Sequence, residues 1–163
     1  LHAANRRVDE KSVKQLVERK SSVQIDLACD VTLFDGAREL LEELRGKVKV
    51  GLASMNNRAV IMHLLQTNCV ADCFDMVLTV EAVSNSKPEP EIFLKTAEHL
   101  KAQPQACVVF EDSIFGVKAA KSANMGCIAV TTSVYKEEEL KLERPDLIVE
   151  SLRNRQILPF IFQ

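Results

Sequence analysis

Ser54, Lys87, Glu111 and Asp112 are polar residues set where apolar runs stop, and their types suit the handling of a phosphoryl group beside a hard cation. Ser54 lies in VGLASMN at 50–56, Lys87 in SNSKPEPEIF at 84–93, and the acid pair in CVVFEDSIFGVKAA at 107–120. A serine hydroxyl and the backbone N–H groups of the next turn can hold phosphoryl oxygens, helped by the positive end of the following helix. A lysine adds a compact charge, and Pro88 holds Lys87 extended before the turn. Asp112 is a hard oxygen donor of the kind Mg²⁺ takes, one or two carboxylates at a time, alongside substrate phosphate and water. Each residue also has a plainer reading. A serine before a helix serves as an N-cap, a loop lysine as solvated surface, Asp112 as a helix cap and Glu111 as a solvated acid. All three stretches occur in this order, which three unrelated plainer roles would not produce together.

Such residues need elements to carry them. From Lys47 onward strand-like and helix-like segments alternate, the pattern of a parallel sheet wrapped by helices. Strands are expected at about 48–53, 75–79, 106–110, 126–131 and 146–149. The runs VVF and CIAV lack polar alternation, as strands buried on both faces do. Helices are expected at about 36–46, 57–68, 89–101, 114–123 and 151–157. Leu40, Leu41 and Leu44 form one apolar stripe and Ile61, Leu64 and Leu65 another, so these are core positions. Pro90 and its flanking acids Glu89 and Glu91 suit a helix start, and Asp112 or Ser113 can cap the helix after them. In a parallel sheet of this kind ligands bind beyond the carboxyl ends of the strands, where Ser54, Glu111 and Asp112 fall.

The 163 residues, 47% hydrophobic and 27% charged, describe one globular domain with an appendage. A net charge of −2 without a basic tract argues against nucleic-acid binding. No apolar stretch is long enough to cross a bilayer and the first residues lack a signal-peptide core, which points to a cytoplasmic protein away from membranes. Five cysteines, at 29, 69, 73, 107 and 127, make no CxxC pair and read as reduced thiols, Cys107 and Cys127 as small hydrophobes. His2, His63 and His99 are scattered and make no ligand set.

In order and spacing the three stretches resemble the second, third and fourth motifs of the haloacid dehalogenase superfamily, in the branch of β-phosphoglucomutases and sugar-phosphate phosphatases. The resemblance covers about residues 10–150. It implies an α/β, Rossmann-like three-layer parallel sheet in residues 35–163, preceded by the end of a helical cap in residues 1–34. Val13, Leu16 and Val17 fit a helix there, crowded by Arg6, Arg7, Lys11, Lys14, Arg19 and Lys20. It also implies roles: Ser54 contacts the phosphoryl group, Lys87 stabilises its charge, and Asp112, with Glu111, binds Mg²⁺. Lys20 of the cap and Asn56 are candidate substrate contacts, with Arg58 behind them. The implied activity is a Mg²⁺-dependent phosphatase acting on a small phosphorylated metabolite such as a sugar phosphate. A phosphomutase is the alternative within the enzyme class. A dehalogenase fits the phosphate-handling residues less well.

The family's first motif is missing. Its nucleophile is an aspartate ending the first strand, with a second aspartate two residues on, and covalent attack by a carboxylate splits one difficult displacement into two. Asp26, Asp30 and Asp35 are followed two positions later by Ala28, Thr32 and Ala37, so none supplies the pair. Asp35-Gly36 instead opens a helix, as the linker from cap to core does. The family's central strand would lie between the strands ending at Ser54 and Glu111. Two outcomes are open: the flanking strands pair directly, or the chain is a piece of a longer protein. Exposed ladder edges would favour a homo-oligomer. A non-catalytic paralogue that binds a phosphorylated ligand or a partner chain is the competing reading.

Overall fold

A computed structural model describes residues 9–27 and 31–163. Expectations on His2, Arg6, Arg7, Cys29 and Asp30 lie outside the described residues. Helix α1, Glu10–Leu27, is followed by α2, Ala37–Leu44, and then by alternating strands and helices. These are β1 Gly51–Ala53, α3 Arg58–Thr67, β2 Met76–Leu78, α4 Glu91–Leu100, β3 Val108–Glu111 and α5 Ile114–Ser122. β4 Gly126–Val130, α6 Glu137–Leu142, β5 Leu147–Val149 and α7 Ile157–Ile161 complete the order.

All strand pairs are parallel, in two groups: β1 with β2, and β3–β4–β5. Gly51 stands opposite Met76, Val108 opposite Gly126 and Ile128 opposite Leu147. Direct pairing of the strands that end at Ser54 and Glu111, one of the two outcomes left open by the sequence, does not occur.

Side chains alternate across the sheets, so neighbouring residues of one strand feed different cores. Cys127 and Ala129 of β4 pack with Ile92, Phe93, Val117 and Leu140 under α4, α5 and α6. Ile128 and Val130 pack on the other face with Val149, Ile157 and the α2 residue Leu40. Helix α3 contributes Ile61 and Leu65 to a third cluster with Val70, Leu41 and Leu52. Helices on both faces of parallel strands make the Rossmann-like three-layer architecture. In β4 four of five residues are buried, which is why CIAV carries no polar alternation.

The C-terminal helix differs from its expected place. Residues 151–156 form turns, and α7 starts only at Ile157. The Ser151 hydroxyl accepts the Arg153 N–H at 3.1 Å, and Asn154 Oδ1 accepts the Gln156 N–H at 2.9 Å. Side-chain oxygens of this kind offer the backbone local partners that compete with a helix. Helix α6, absent from the expectations, begins with the Lys136 N–H donating to Glu139 Oε2 at 2.9 Å and with three acids in its first turn.

Candidate functional site

The site forms where β1 and β3 end. The Ser54 N–H donates to Leu78 O at 3.0 Å, extending the β1–β2 ladder by one residue. Its hydroxyl oxygen accepts the Asn56 N–H at 3.1 Å, which leaves the hydroxyl proton available to an oxygen ligand. Ser54 is not the cap of α3. That role belongs to Asn57, whose Oδ1 accepts the Val60 N–H at 3.0 Å.

Lys87 arrives from the loop before α4, which carries a cis Lys87-Pro88 peptide. Its ammonium pairs with the Glu111 carboxylate and reaches Ala53 O at 3.5 Å, so one charge touches the ends of both strand groups. The two side chains are 12% and 9% exposed. The Phe93 ring centroid lies 4.6 Å from Nζ, adding a cation–π contact.

Sequence reasoning treated Glu91 as a helix-start charge and missed what it holds. Its carboxylate accepts the N–H groups of Ser84 and Asn85 at 3.0 and 2.8 Å and the Asn85 side chain at 3.0 Å. Lys95 pairs with it at 2.7 Å. The Lys95 ammonium, and then these backbone donors, pull the Glu91 carboxyl down to about 2. Glu91 thus clamps the loop that delivers Lys87. No spacing rule could have found it, because the loop folds back over the helix start only in three dimensions.

Glu111 ends β3, and the Ser113 hydroxyl lies 3.2 Å from its second carboxylate oxygen. Ser113 is also the cap of α5, accepting the Gly116 N–H at 3.0 Å. Gly116 has a reason to lack a side chain: a Cβ there would run into the Glu111 carboxylate. Asp112 is tied through its backbone, its carbonyl accepting from the Ser133 hydroxyl. Among the described residues no cation pairs with its carboxylate.

A cleft of about 780 Å³ gathers Ser54, Lys87, Glu111 and Asp112. Leu52, Ile61, Phe110 and Val130 give it apolar walls, and Phe34 and Phe115 stand half-exposed at its edge. Asn56 does not line the cleft; it donates its N–H to the Ser54 hydroxyl oxygen and is held from α1 by Gln24. Lys20 is exposed on α1, one turn before Gln24, and does not line the cleft. Arg58 is engaged elsewhere, its N–H with Glu81 at 2.8 Å and its guanidinium with Val77 O at 3.1 Å. A second hollow, about 500 Å³, lies at the opposite ends of β1 and β2, where Arg45 pairs with Asp72 and Lys47 with Glu43.

Chemically the cleft offers a hydroxyl donor, a buried ammonium and an uncommitted carboxylate around one space. Among the described residues no group of three or more His, Cys, Asp and Glu side chains could enclose a metal ion by itself. A cation here would bind Asp112 and complete its shell with ligand and water oxygens, which is how Mg²⁺ is commonly held.

The haloacid dehalogenase-like hydrolase model matches residues 2–130. The chain belongs to the haloacid dehalogenase-like hydrolase family. It is 39% identical over 126 residues to Protein SUPPRESSOR OF QUENCHING 1, chloroplastic, of Arabidopsis thaliana, covering 76% of this chain and 12% of that protein. It is 34% identical over 128 residues to the validoxylamine A 7′-phosphate phosphatase of Streptomyces hygroscopicus subsp. limoneus, covering 78% of this chain and 58% of the relative. The chain therefore spans less than two thirds of either relative. Among solved structures, the β-phosphoglucomutase of Clostridium difficile superposes with a TM-score of 0.81 at 28% identity, over 94% of this chain and 68% of that one. The family is thus one of enzymes, and its named phosphatases and phosphoglucomutase agree with the expected resemblance. No described helix is long and apolar enough to cross a membrane.

Proposed function

We propose that this haloacid dehalogenase-like chain belongs to a Mg²⁺-dependent phosphatase of the cytoplasm that acts on a small phosphorylated metabolite, a sugar phosphate or similar compound. The observation carrying this reading is the placement of Lys87, whose ammonium bridges Ala53 O and Glu111 at the carboxyl ends of both strand groups. Ser54 donates its free hydroxyl proton to a phosphoryl oxygen, and Lys87 neutralises charge that grows on the group during transfer. Asp112, with Glu111 beside it, holds Mg²⁺, which when bound supplies further positive charge to the phosphoryl oxygens. Lys20 from the cap side, residues 1–34, and Asn56 from the core, residues 35–163, are the substrate contacts in this reading, reaching the ligand from outside the lining of the cleft.

The attacking carboxylate belongs to a segment outside this chain. Its strand seats between β1 and β3, where the cleft walls are apolar and, among the described residues, no strand lies between the two groups β1–β2 and β3–β4–β5. An aspartate at its end attacks phosphorus, the alcohol leaves, and water then hydrolyses the aspartyl phosphate. Names of relatives support the substrate class, since one is a phosphatase for a 7′-phosphate compound and another a β-phosphoglucomutase. Without that strand, the open edges favour association between copies of the chain.

One observation favours a second reading, a non-catalytic paralogue that binds a phosphorylated ligand or a partner chain: the 163 residues contain no Asp-x-Asp pair. The test is to join the chain to an upstream strand ending in Asp-x-Asp and follow phosphate release from a panel of sugar phosphates. Turnover that needs Mg²⁺ and disappears in Asp112→Ala supports the phosphatase. Full activity in Asp112→Ala sinks the metal assignment, and no turnover in any combination supports the paralogue. The mass of the native protein, against 18.2 kDa for this chain, bears on the same question.

A further inference from the structure

Ser54 is connected to α1 through Asn56, and the next residue, Asn57, makes its own contact with the same helix. The Asn56 N–H donates to the Ser54 hydroxyl oxygen, and Asn56 Oδ1 accepts from Gln24 Nε2 at 3.3 Å. Asn57 caps α3 with Oδ1 while its Nδ2 donates to the Ser21 hydroxyl. Ser21 in turn donates its own proton to Val17 O at 2.8 Å, so the Ser21 oxygen is free to accept. Donors and acceptors are therefore matched from α1 to Ser54 without a competing assignment.

The rest of α1 is loosely held. Val13, Leu16, Val17, Val23 and Leu27 are between 46% and 69% exposed, whereas Ser21, Gln24, Asn56 and Asn57 are each partly buried. Helix α1 meets the core along α3, the helix Asn57 caps. The chain is pinned a second time beyond α1, by a different chemistry. Arg153 grips Asp35 at 2.8 Å and Glu39 at 2.6 Å, and Gly36, at φ +81°, packs where any side chain would meet Arg153 and Leu152. The charged side chains of this second anchor are more than half exposed and therefore screened by solvent. The two anchors thus differ in kind: residues 35–39 are held by exposed ion pairs, and residues 21–24 by partly buried hydrogen bonds between neutral groups.

We propose that Ser21 and Gln24 are positioning residues for the loop 54–57, so that docking of α1 and binding of a phosphoryl group at Ser54 are coupled. With α1 docked, Gln24 fixes the Asn56 side chain, the Asn56 N–H stays on the Ser54 oxygen, and the Ser54 proton points to the ligand. Coupling of this kind is reciprocal, so an anion on Ser54 must hold α1 down as strongly as α1 favours the anion. The inference rests on the phosphate-handling reading of Ser54 given above.

The experiment is a titration of the chain with inorganic phosphate in the presence of Mg²⁺, followed by amide NMR and hydrogen exchange. In the parent chain, phosphate should shift the amides of residues 54–57 and the Gln24 side-chain amide together, and slow exchange around residues 21–25. Ser21→Ala and Gln24→Ala should each weaken phosphate binding, and together lower it by about fivefold or more, the low end of typical coupling. Ser21→Thr, which keeps the hydroxyl, should bind as the parent does. A merely structural role for the two residues predicts unchanged phosphate affinity in the alanine variants and α1 signals that ignore phosphate, and that result overturns the coupling alone. No phosphate binding by the parent chain overturns the reading of Ser54 and the coupling with it.

Discussion

The two faces of the strand layer are built from the same five strands and packed in different ways. Under α4, α5 and α6, one continuous cluster runs from Leu78 of β2 through Ile92, Val109 and Cys127 to Leu140. On the other face the core is divided, with Ile61, Leu65 and Val70 on one side and Ile128, Val130, Val149 and Ile157 on the other. The cleft opens along that division, between Leu52 and Ile61 on one wall and Phe110 and Val130 on the other. The difference shows that helices, not backbone ladders, bridge β1 and β3. Apolar packing tolerates a gap in the hydrogen-bonded layer as long as one face is covered, and it leaves the other face ready to receive chemistry.

The largest effect should come from the polar bridge. Glu111→Ala leaves Lys87 buried without its partner and should cost about 3–5 kcal/mol in denaturant unfolding. Adding Lys87→Met should recover much of that loss, because no unpaired charge then remains buried. If the single and double variants are equally unstable, the pair does not bridge the two strand groups energetically. Next comes the covered face: Ile92→Ala removes a fully buried side chain from the continuous cluster and should cost about 2–5 kcal/mol. An effect well under 1 kcal/mol would mean that this face, too, is loosely packed.

A smaller effect follows acid. Glu91 has its carboxyl at about 2 in the folded chain against an ordinary 4.5, so its contribution is complete above pH 4.5 and is lost as pH falls toward 2. The urea midpoint should therefore drop across that window, and Glu91→Gln should flatten the drop and loosen the loop before Lys87. An identical acid slope in Glu91→Gln would remove Glu91 from the bridge. The smallest effect belongs to the open face. Phe34 is 58% exposed at the cleft edge, and Phe34→Ser should change stability by no more than about 0.5 kcal/mol. A large loss there would show that the divided face is packed after all.

Much of this architecture was legible in the residues. Burial on both faces wrote the apolar run of β4, whereas in β3 only Val109 is buried because Phe110 faces the cleft; the Ser113 cap and the stripes of α2 and α3 follow local rules that a sequence displays directly. The helix expected at 151–157 starts only at Ile157, because the turn-forming bonds of Ser151 and Asn154 depend on backbone already bent, which local sequence does not display. Ser54 illustrates the opposite case: the cap reading, open in the sequence, is removed only by the three-dimensional position of Asn57, which occupies the cap.

By itself the sequence determined the alternation of strands and helices, the family, and the four polar residues that line the cleft. Each of these is encoded by neighbours within about one or two turns of chain, through periodicity, capping and the residues that end a strand. Only the tertiary structure decided that Lys87 meets Glu111, that Glu91 clamps the Lys87 loop, that Gln24 reaches Asn56, and that β1 and β3 stay apart. Those contacts join segments distant in sequence, and their geometry depends on the path of every loop between them, which no local pattern specifies.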